Sequence, residues 1–151
     1  MLKFSRKVDY GLILLSKLRD EPTGASAREI AERYQLPQPM VANILKALTG
    51  ARILTSTRGA QGGYELARAP ERITLAEVVE ALEGPLSLVE CNNADSTCRL
   101  ADLCPTHDPL QAVQRRFEEF MAALTLDQII GKAPVFGRSP HFQFDQPGEQ
   151  Q

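Results

Sequence analysis

Residues 26–50 read SAREIAERYQLPQPMVANILKALTG, and this stretch decides the fold. Ser26 and Glu29 have the spacing of a capping box, in which each side chain satisfies a backbone N–H that the first helical turn leaves without a partner. The stretch therefore predicts a short helix that begins at Ser26 and ends near Tyr34.

A second helix is predicted directly after the first. Pro37 and Pro39 favour a helix start, because proline is tolerated only in the first turn, where its missing N–H would have had no partner. The helix continues to about Gly50, and four apolar residues share one of its faces. Two short helices joined by a tight turn, the second of them amphipathic, predict a helix-turn-helix. The apolar face consists of Val41, Ile44, Leu45 and Leu48.

The outer face of this second helix carries the predicted DNA contacts. Asparagine and glutamine can pair with an adenine edge at two points, lysine can reach guanine or phosphate, and an alanine methyl group can touch a thymine methyl group. We therefore predict DNA contacts from Gln38, Met40, Ala42, Asn43 and Lys46.

A β-hairpin follows the two helices. The β-rich segment 53–57 and the segment 64–66 flank the glycine-rich turn RGAQGG at 58–63, so a hairpin wing is predicted. Arg58 and Gln61 in this turn are predicted to contact DNA, the arginine in a narrow minor groove. A nucleotide-binding loop is disfavoured, because no helix and no Gly-Lys-Ser/Thr follow the glycines.

Two more helices flank this unit. Ser5 is the predicted N-cap of a helix that ends near Arg19. Thr74 and Glu77 form a second capping box, whose helix is predicted to stop near Gly84.

A longer apolar pattern closes the chain. Five residues recur at steps of three and four, the spacing of a coiled-coil seam. The helix that carries them either packs on its own domain or pairs with a second copy, and we assign them to a homodimer interface. They are Leu110, Val113, Phe117, Phe120 and Leu124.

Charge is distributed unevenly along the chain, although its net charge is only −2. Residues 1–70 carry 11 Lys and Arg against 6 Asp and Glu, whereas residues 71–151 carry 6 against 13. A basic first half suits contact with a polyanion, so double-stranded DNA is favoured over a protein-binding adaptor. No apolar run approaches the ~18 residues of a membrane span, and we expect a cytoplasmic protein that is not an enzyme.

Three cysteines lie close together in the acidic half. Cys91, Cys98, Cys104 and His107 follow one another with gaps of six, five and two residues. Thiolates and imidazole are ligands for zinc or an iron–sulfur cluster. Zinc loops usually pair ligands at separations of two to four, so these wider gaps favour the larger cluster. Zinc binding and a thiol switch remain the alternatives.

The order of these features resembles the IscR/NsrR family of bacterial regulators over residues 1–130. The resemblance rests on the helix-turn-helix, the glycine wing that ends in Tyr64, the Thr74-capped helix, the cysteine loop and the long last helix. It implies a homodimer that carries a cluster on the cysteine loop, pairs through the long helix and controls genes for cluster assembly, iron uptake or stress. The segment 82–85 is most similar to regulators of the SUF cluster-assembly system.

The resemblance leaves two options for the fourth cluster ligand. Cys104-Pro105-Thr106-His107 matches members in which the histidine completes a 2Fe–2S site, which we favour. Other members place a 4Fe–4S cluster on an aspartate of the partner's first helix, and Asp9 stands near that position. The first cysteine gap is six residues here, whereas the family usually has five.

Together these observations predict a mainly α protein, a winged helix-turn-helix with a small β-hairpin wing, a cysteine loop and a long C-terminal dimerisation helix. We assign residues 1–84 to the DNA-binding domain, 85–108 to the cluster loop, 109–130 to the dimerisation region and 131–151 to a disordered tail.

Overall fold

The structure, a computed structural model, describes residues 3–59, 62–89, 98–99 and 103–131. Over these residues the chain is mainly α, as predicted, with one small antiparallel sheet. No helix in these ranges is both long and apolar enough to cross a bilayer. The elements are α1 (Arg6–Asp20), α2 (Ala27–Tyr34), α3 (Gln38–Gly50), β1 (Leu54–Ser56), β2 (Tyr64–Leu66), a 3-10 turn (Pro70–Arg72), α4 (Leu75–Glu83), α5 (His107–Ala123) and α6 (Leu126–Ile130).

The core lies between α1, α3 and α4. The apolar face of α3 is at most 1% exposed and packs in one cluster with Leu14 of α1 and Val78 of α4. Helices α1 and α4 approach closely at Gly11, where an added Cβ would lie 2.5 Å from the Leu82 side chain. Glycine lowers the stability of a helix in which it lies. Its presence at position 11 is explained by the close packing of α1 and α4.

The predicted hairpin is present and is tied to the helices. In the sheet, Leu54 pairs with Leu66 and Ser56 pairs with Tyr64. The Tyr64 backbone also exchanges two hydrogen bonds with Ala25, which lies just before α2. A Cβ on Gly63 would lie 2.8 Å from the Ala25 carbonyl group. Only glycine fits this approach, so the hairpin is held against the start of the helix-turn-helix.

The capping boxes at Ser26 and Thr74 form as predicted, each with a reciprocal pair of hydrogen bonds. Glu77 of the Thr74 box makes a second contact, because its carboxylate accepts a hydrogen bond from the Arg68 guanidinium at 2.8 Å. Arg68 stands just after β2. The ion pair therefore links the base of the hairpin to the first turn of α4.

The last third of the chain departs from the predicted boundaries. Helix α5 begins at His107, within the segment expected to be an irregular loop, and it ends at Ala123. Thr125 and Gln128 form a further capping box that starts the separate helix α6. The pattern of the seam runs through Leu124, but the cap at Thr125 ends the long helix there. Residues 132–151, which include most of the predicted disordered tail, lie outside the described residues.

The ion pair of Glu77 predicts a dependence of stability on pH. Burial raises the pKa of Glu77, but hydrogen bonds from the Thr74 backbone and Arg68 outweigh burial and hold the pKa below its usual value. A lowered pKa stabilises the fold above the unfolded-state pKa, and this contribution is lost as pH falls through the folded-state pKa. Glu77→Gln should therefore flatten the fall in unfolding free energy between about pH 5 and pH 3, measured by urea unfolding.

The cost of Glu77→Gln at neutral pH should stay below about 1 kcal/mol, because the Glu77 side chain is 40% exposed and water screens the ion pair. Glu80→Gln, an exposed position on the same helix, is the matched control and should keep the wild-type pH profile. Identical pH profiles for Glu77→Gln and the wild type would contradict the assignment.

Candidate nucleic-acid interface and cysteine loop

The outward face of α3 presents most of the residues predicted to contact DNA. Gln38, Asn43 and Lys46 are exposed, and Ala42 is half-buried. Met40 is half-buried and packs against the core, so its side chain is the least available of the five. The remaining four can meet a ligand without a change in the core.

A groove of about 530 Å³ lies between α3 and the hairpin. The prediction from sequence missed Thr49, Gly50, Ser56 and Tyr64 as parts of this surface. The predicted hairpin could have identified Ser56 and Tyr64, because the two residues pair across its strands. Side chains on the same face of a strand pair share one environment. The groove is lined by Ala42, Asn43, Lys46, Thr49, Gly50, Ser56 and Tyr64.

The described part of the wing turn leaves Arg58 exposed. The turn is closed by a hydrogen bond from the Gly62 N–H to the Gly59 carbonyl at 3.0 Å, and Gly59 has a φ of +124°. The other predicted wing contact, Gln61, lies outside the described residues. Arg58 thus stands in the turn of a short hairpin whose second strand is held at Tyr64 by backbone hydrogen bonds to Ala25.

The cysteine loop is described at residues 85–89, 98–99 and 103–108. Cys98 is exposed and Cys104 is half-buried, whereas Cys91 lies outside the described residues. The Cys104 sulfur lies 3.2 Å from the Thr106 hydroxyl oxygen. Hydrogen bonding by the Thr106 hydroxyl and, to a smaller extent, by backbone N–H groups lowers the pKa of Cys104. This environment favours the thiolate, which is the metal-binding and nucleophilic form.

His107 stands in the first turn of α5 with a partner at each ring nitrogen. Its Nδ1 lies 3.1 Å from the Asp108 carboxylate, and its Nε2 lies 3.2 Å from the Gln111 amide nitrogen. An amide nitrogen only donates, so in the neutral ring this arrangement suits a proton on Nδ1 and an acceptor at Nε2. A metal at Nε2 would replace Gln111 and keep the Asp108 contact, as is usual for ligating histidines.

The predicted metal ligands are not assembled within the described ranges. No group of three or more His, Cys, Asp or Glu residues lies close enough there to hold a metal ion. Cys104 and His107 are neighbours, since the His107 N–H donates to the Cys104 carbonyl at 3.2 Å. Asp9 is exposed in the first turn of α1. The donor chemistry at Cys104 and His107 therefore fits a metal centre, and the full ligand set stays a prediction.

The seam residues fall into two groups along α5. Leu110 and Val113 are exposed, whereas Phe117, Phe120 and Leu124 are half-buried against the chain's own core. These three also line an apolar cleft of about 620 Å³ together with Phe4, Leu86 and other residues. Sequence reasoning missed Met121, which is buried in the core.

The helices and hairpin define a winged helix-turn-helix protein. The family described as Rrf2, iron-dependent transcriptional regulator, matches residues 4–132. The HTH-type transcriptional regulator NsrR of Halalkalibacterium halodurans is 30% identical over 126 residues, which cover 79% of this chain and 86% of the relative. The chain therefore belongs to the Rrf2 family and is a DNA-binding transcriptional regulator rather than an enzyme.

Solved structures of winged-helix regulators are similar to this one. IscR of T. potens superposes with a TM-score of 0.65 at 28% identity, over 91% of this chain and 93% of that one. CymR, the global cysteine regulator of B. subtilis, superposes with a TM-score of 0.64 at 30% identity, over 88% and 99%. These matches confirm the predicted fold class and the resemblance to this group of regulators.

The exposed face of α3 and the wing predict two kinds of DNA contact. Asn43→Ala should weaken binding to the cognate site by about 1–3 kcal/mol and relax the preference at one base pair, because a two-point contact to a base is lost. Arg58→Ala should weaken binding more evenly across sequences. Fluorescence anisotropy on a mapped operator and on single-base variants of it measures both effects.

Glu65→Gln is the matched control, because Glu65 is exposed on β2 outside the lining of the groove. If both test variants bound every sequence as the control does, α3 and the wing would not be the DNA-contacting elements.

Proposed function

We propose that this chain is a homodimeric regulator that binds promoter DNA and senses iron–sulfur status or redox or nitric-oxide stress through a cluster on its cysteine loop, and that it controls genes of cluster assembly. The observation that carries the proposal is the position of Cys104 and His107, which stand at the start of the long helix α5 of a winged-helix protein. The loop that holds them joins α4, which packs in the DNA-binding core, to α5.

The donor set supports a thiolate-bound centre. The lowered pKa of Cys104 favours the form that ligates iron. His107 offers an imidazole nitrogen whose present partner is a neutral amide. Cys91, Cys98 and Cys104 with His107 would hold a 2Fe–2S cluster, and Asp9 from the partner subunit is the alternative fourth ligand for a 4Fe–4S cluster. When bound, such a cluster supplies a redox-active centre that absorbs visible light.

The DNA side of the proposal rests on exposure and charge. Lys46 and Asn43 line an open groove between α3 and the hairpin, and Arg58 in the hairpin turn is exposed. The basic excess of residues 1–70 gives this half of the chain the sign that attracts a phosphate backbone. Double-stranded promoter DNA is therefore the partner that this surface suits.

A second candidate function has its own support. The hydrogen bonds of Thr106 that lower the pKa of Cys104 also suit a thiol that reacts by oxidation. The chain is also similar to CymR, a cysteine regulator by its name. In this alternative the cysteines bind zinc or switch by oxidation, and no cluster is present.

The visible spectrum of anaerobically reconstituted protein distinguishes the two candidates. A cluster colours the solution through sulfide-to-iron charge transfer, whereas zinc-bound or metal-free thiols leave it colourless. Alanine at Cys91, Cys98 or Cys104 should abolish the colour, because each thiolate is a ligand. His107→Ala should leave a labile or spectrally altered cluster, and His107→Cys should restore its stability.

Asp9→Ala serves as the comparison for the fourth ligand and should leave the colour unchanged. A bleached Asp9→Ala protein beside an unchanged His107→Ala protein would replace the 2Fe–2S assignment with a 4Fe–4S cluster shared by two subunits. A colourless wild-type protein would remove the cluster and favour the thiol alternative.

Assembly is the second part of the proposal to be tested. Leu110 and Val113 expose apolar surface on α5, next to the cleft lined by Phe117, Phe120 and Leu124. Val113→Glu combined with Leu110→Glu should give a monomer that binds DNA weakly, because paired half-sites need a shared anchor. Phe117 and Phe120 are unsuitable first targets, since they also pack in the core.

Sedimentation at micromolar concentration measures this effect, with Glu119→Gln on the exposed face of α5 as the control. A wild-type monomer at that concentration would contradict the proposed dimer.

A further inference from the structure

Gln114 is the one buried polar residue in the described part of the chain, with only 5% of its surface exposed. Its amide oxygen accepts a hydrogen bond from the Leu88 N–H at 2.8 Å. Its amide nitrogen donates to the Leu86 carbonyl at 2.6 Å and to the Glu118 carboxylate at 2.7 Å. All three bonds match the capacity of an amide, whose nitrogen supplies two donors and whose oxygen accepts.

The two backbone partners belong to the segment that leads from α4 into the cysteine loop. Leu88 lies three residues before Cys91, whereas Gln114 lies on α5 two turns after His107. The Gln114 side chain therefore connects the segment that leads into the cysteine loop to the helix that follows the loop. The apolar side chain of Leu86 reinforces this junction, because it packs against the core cluster, as Phe117 does.

The hydrogen-bonding groups at this junction require a side chain that both donates and accepts. A backbone N–H and a C=O that leave regular structure need partners when they are buried, and losing such a partner costs more than the bond itself contributes. Gln114 pairs with both groups at once, as a neighbouring strand would. The segment before the first cysteine is thus held at a fixed position against α5, although it lies outside any helix or strand.

The geometry points to Gln114 as a positioning residue for the cysteine loop: it clamps the segment at Leu86 and Leu88 onto α5 and so fixes where the chain enters the loop relative to Cys104 and His107 at the start of α5. The inference rests on the proposed function for the identity of the centre that the thiols hold. Gln114 does not touch that centre. It acts through the backbone of the loop, in the manner of outer residues that orient metal ligands.

Two variants test the clamp. Gln114→Met keeps the length and volume of the side chain and removes every hydrogen bond. Gln114→Glu keeps an acceptor for the Leu88 N–H, removes the donor to the Leu86 carbonyl and brings two carboxylates together at Glu118. Adding Glu118→Gln to the second variant removes that repulsion. Glu119→Met, on the exposed opposite face of α5, is the matched control.

Amide hydrogen exchange in the metal-free protein measures the clamp directly. Exchange at Leu88 should be about tenfold faster in Gln114→Met than in the wild type or the control, because its hydrogen-bond acceptor is gone. Unfolding in urea shows whether each variant is folded. Unchanged exchange at Leu88 in a folded Gln114→Met protein would overturn the clamp.

Metal retention measures the positioning role. Anaerobically reconstituted Gln114→Met should lose iron to a chelator roughly 10–100-fold faster than the wild type, the range typical of outer-shell changes. Gln114→Glu should also lose iron faster, and the added Glu118→Gln should recover part of the loss. Faster exchange at Leu88 with unchanged iron loss would reduce Gln114 to a packing residue and overturn the positioning role.

A colourless wild-type protein would remove the proposed cluster without deciding the clamp. Zinc retention then replaces iron retention in the same variants, measured with a chromophoric chelator. Faster zinc loss from Gln114→Met would support the positioning role for a thiolate site of another kind. Equal zinc loss, or a wild-type protein that holds neither metal, would overturn the role as a positioner of metal ligands.

Discussion

The burial of one face of α3 is the constraint on which the rest of the structure depends. Val41, Ile44, Leu45 and Leu48 are nearly inaccessible to solvent, and burial of four such side chains stabilises the fold by about 1.5–3 kcal/mol each. This face can be buried in only one rotation of the helix about its axis. The rotation leaves Asn43 and Lys46 outside, so the same packing that forms the core also orients the candidate reading surface.

Polar contacts then fix the other elements around this core. The Ala25 and Tyr64 backbones tie the hairpin to the start of α2, and the ion pair of Arg68 with Glu77 ties its base to α4. An exposed ion pair contributes little to stability, but this one joins two elements that are also held by a capping box. The wing and α4 are therefore positioned by several short contacts of modest strength and not by apolar burial alone.

Local signals in the sequence predicted the first two thirds of the fold well. The capping boxes at Ser26 and Thr74 carry a chemical pattern that is complete within four residues, so no knowledge of the tertiary structure is needed. The box at Thr125 has the same chemistry, but it follows directly on an apolar pattern that continues through Leu124. That pattern favoured one long helix, so the helix start at Thr125 was not predicted. Gln114 was beyond sequence reasoning, because its partners are backbone groups of a distant irregular segment with no pattern of their own.

Helix α5 combines two environments, and this division bears on how the loop and the core communicate. Its carboxyl-terminal half is anchored by Met121, which is buried, and by Phe117, which packs against the core. Its amino-terminal half carries His107 and exposes Leu110 and Val113. A helix of 17 residues spans about 25 Å and is stiff. A displacement of its first turn would therefore be transmitted along the whole helix, to the exposed apolar residues and to the half that is anchored in the core.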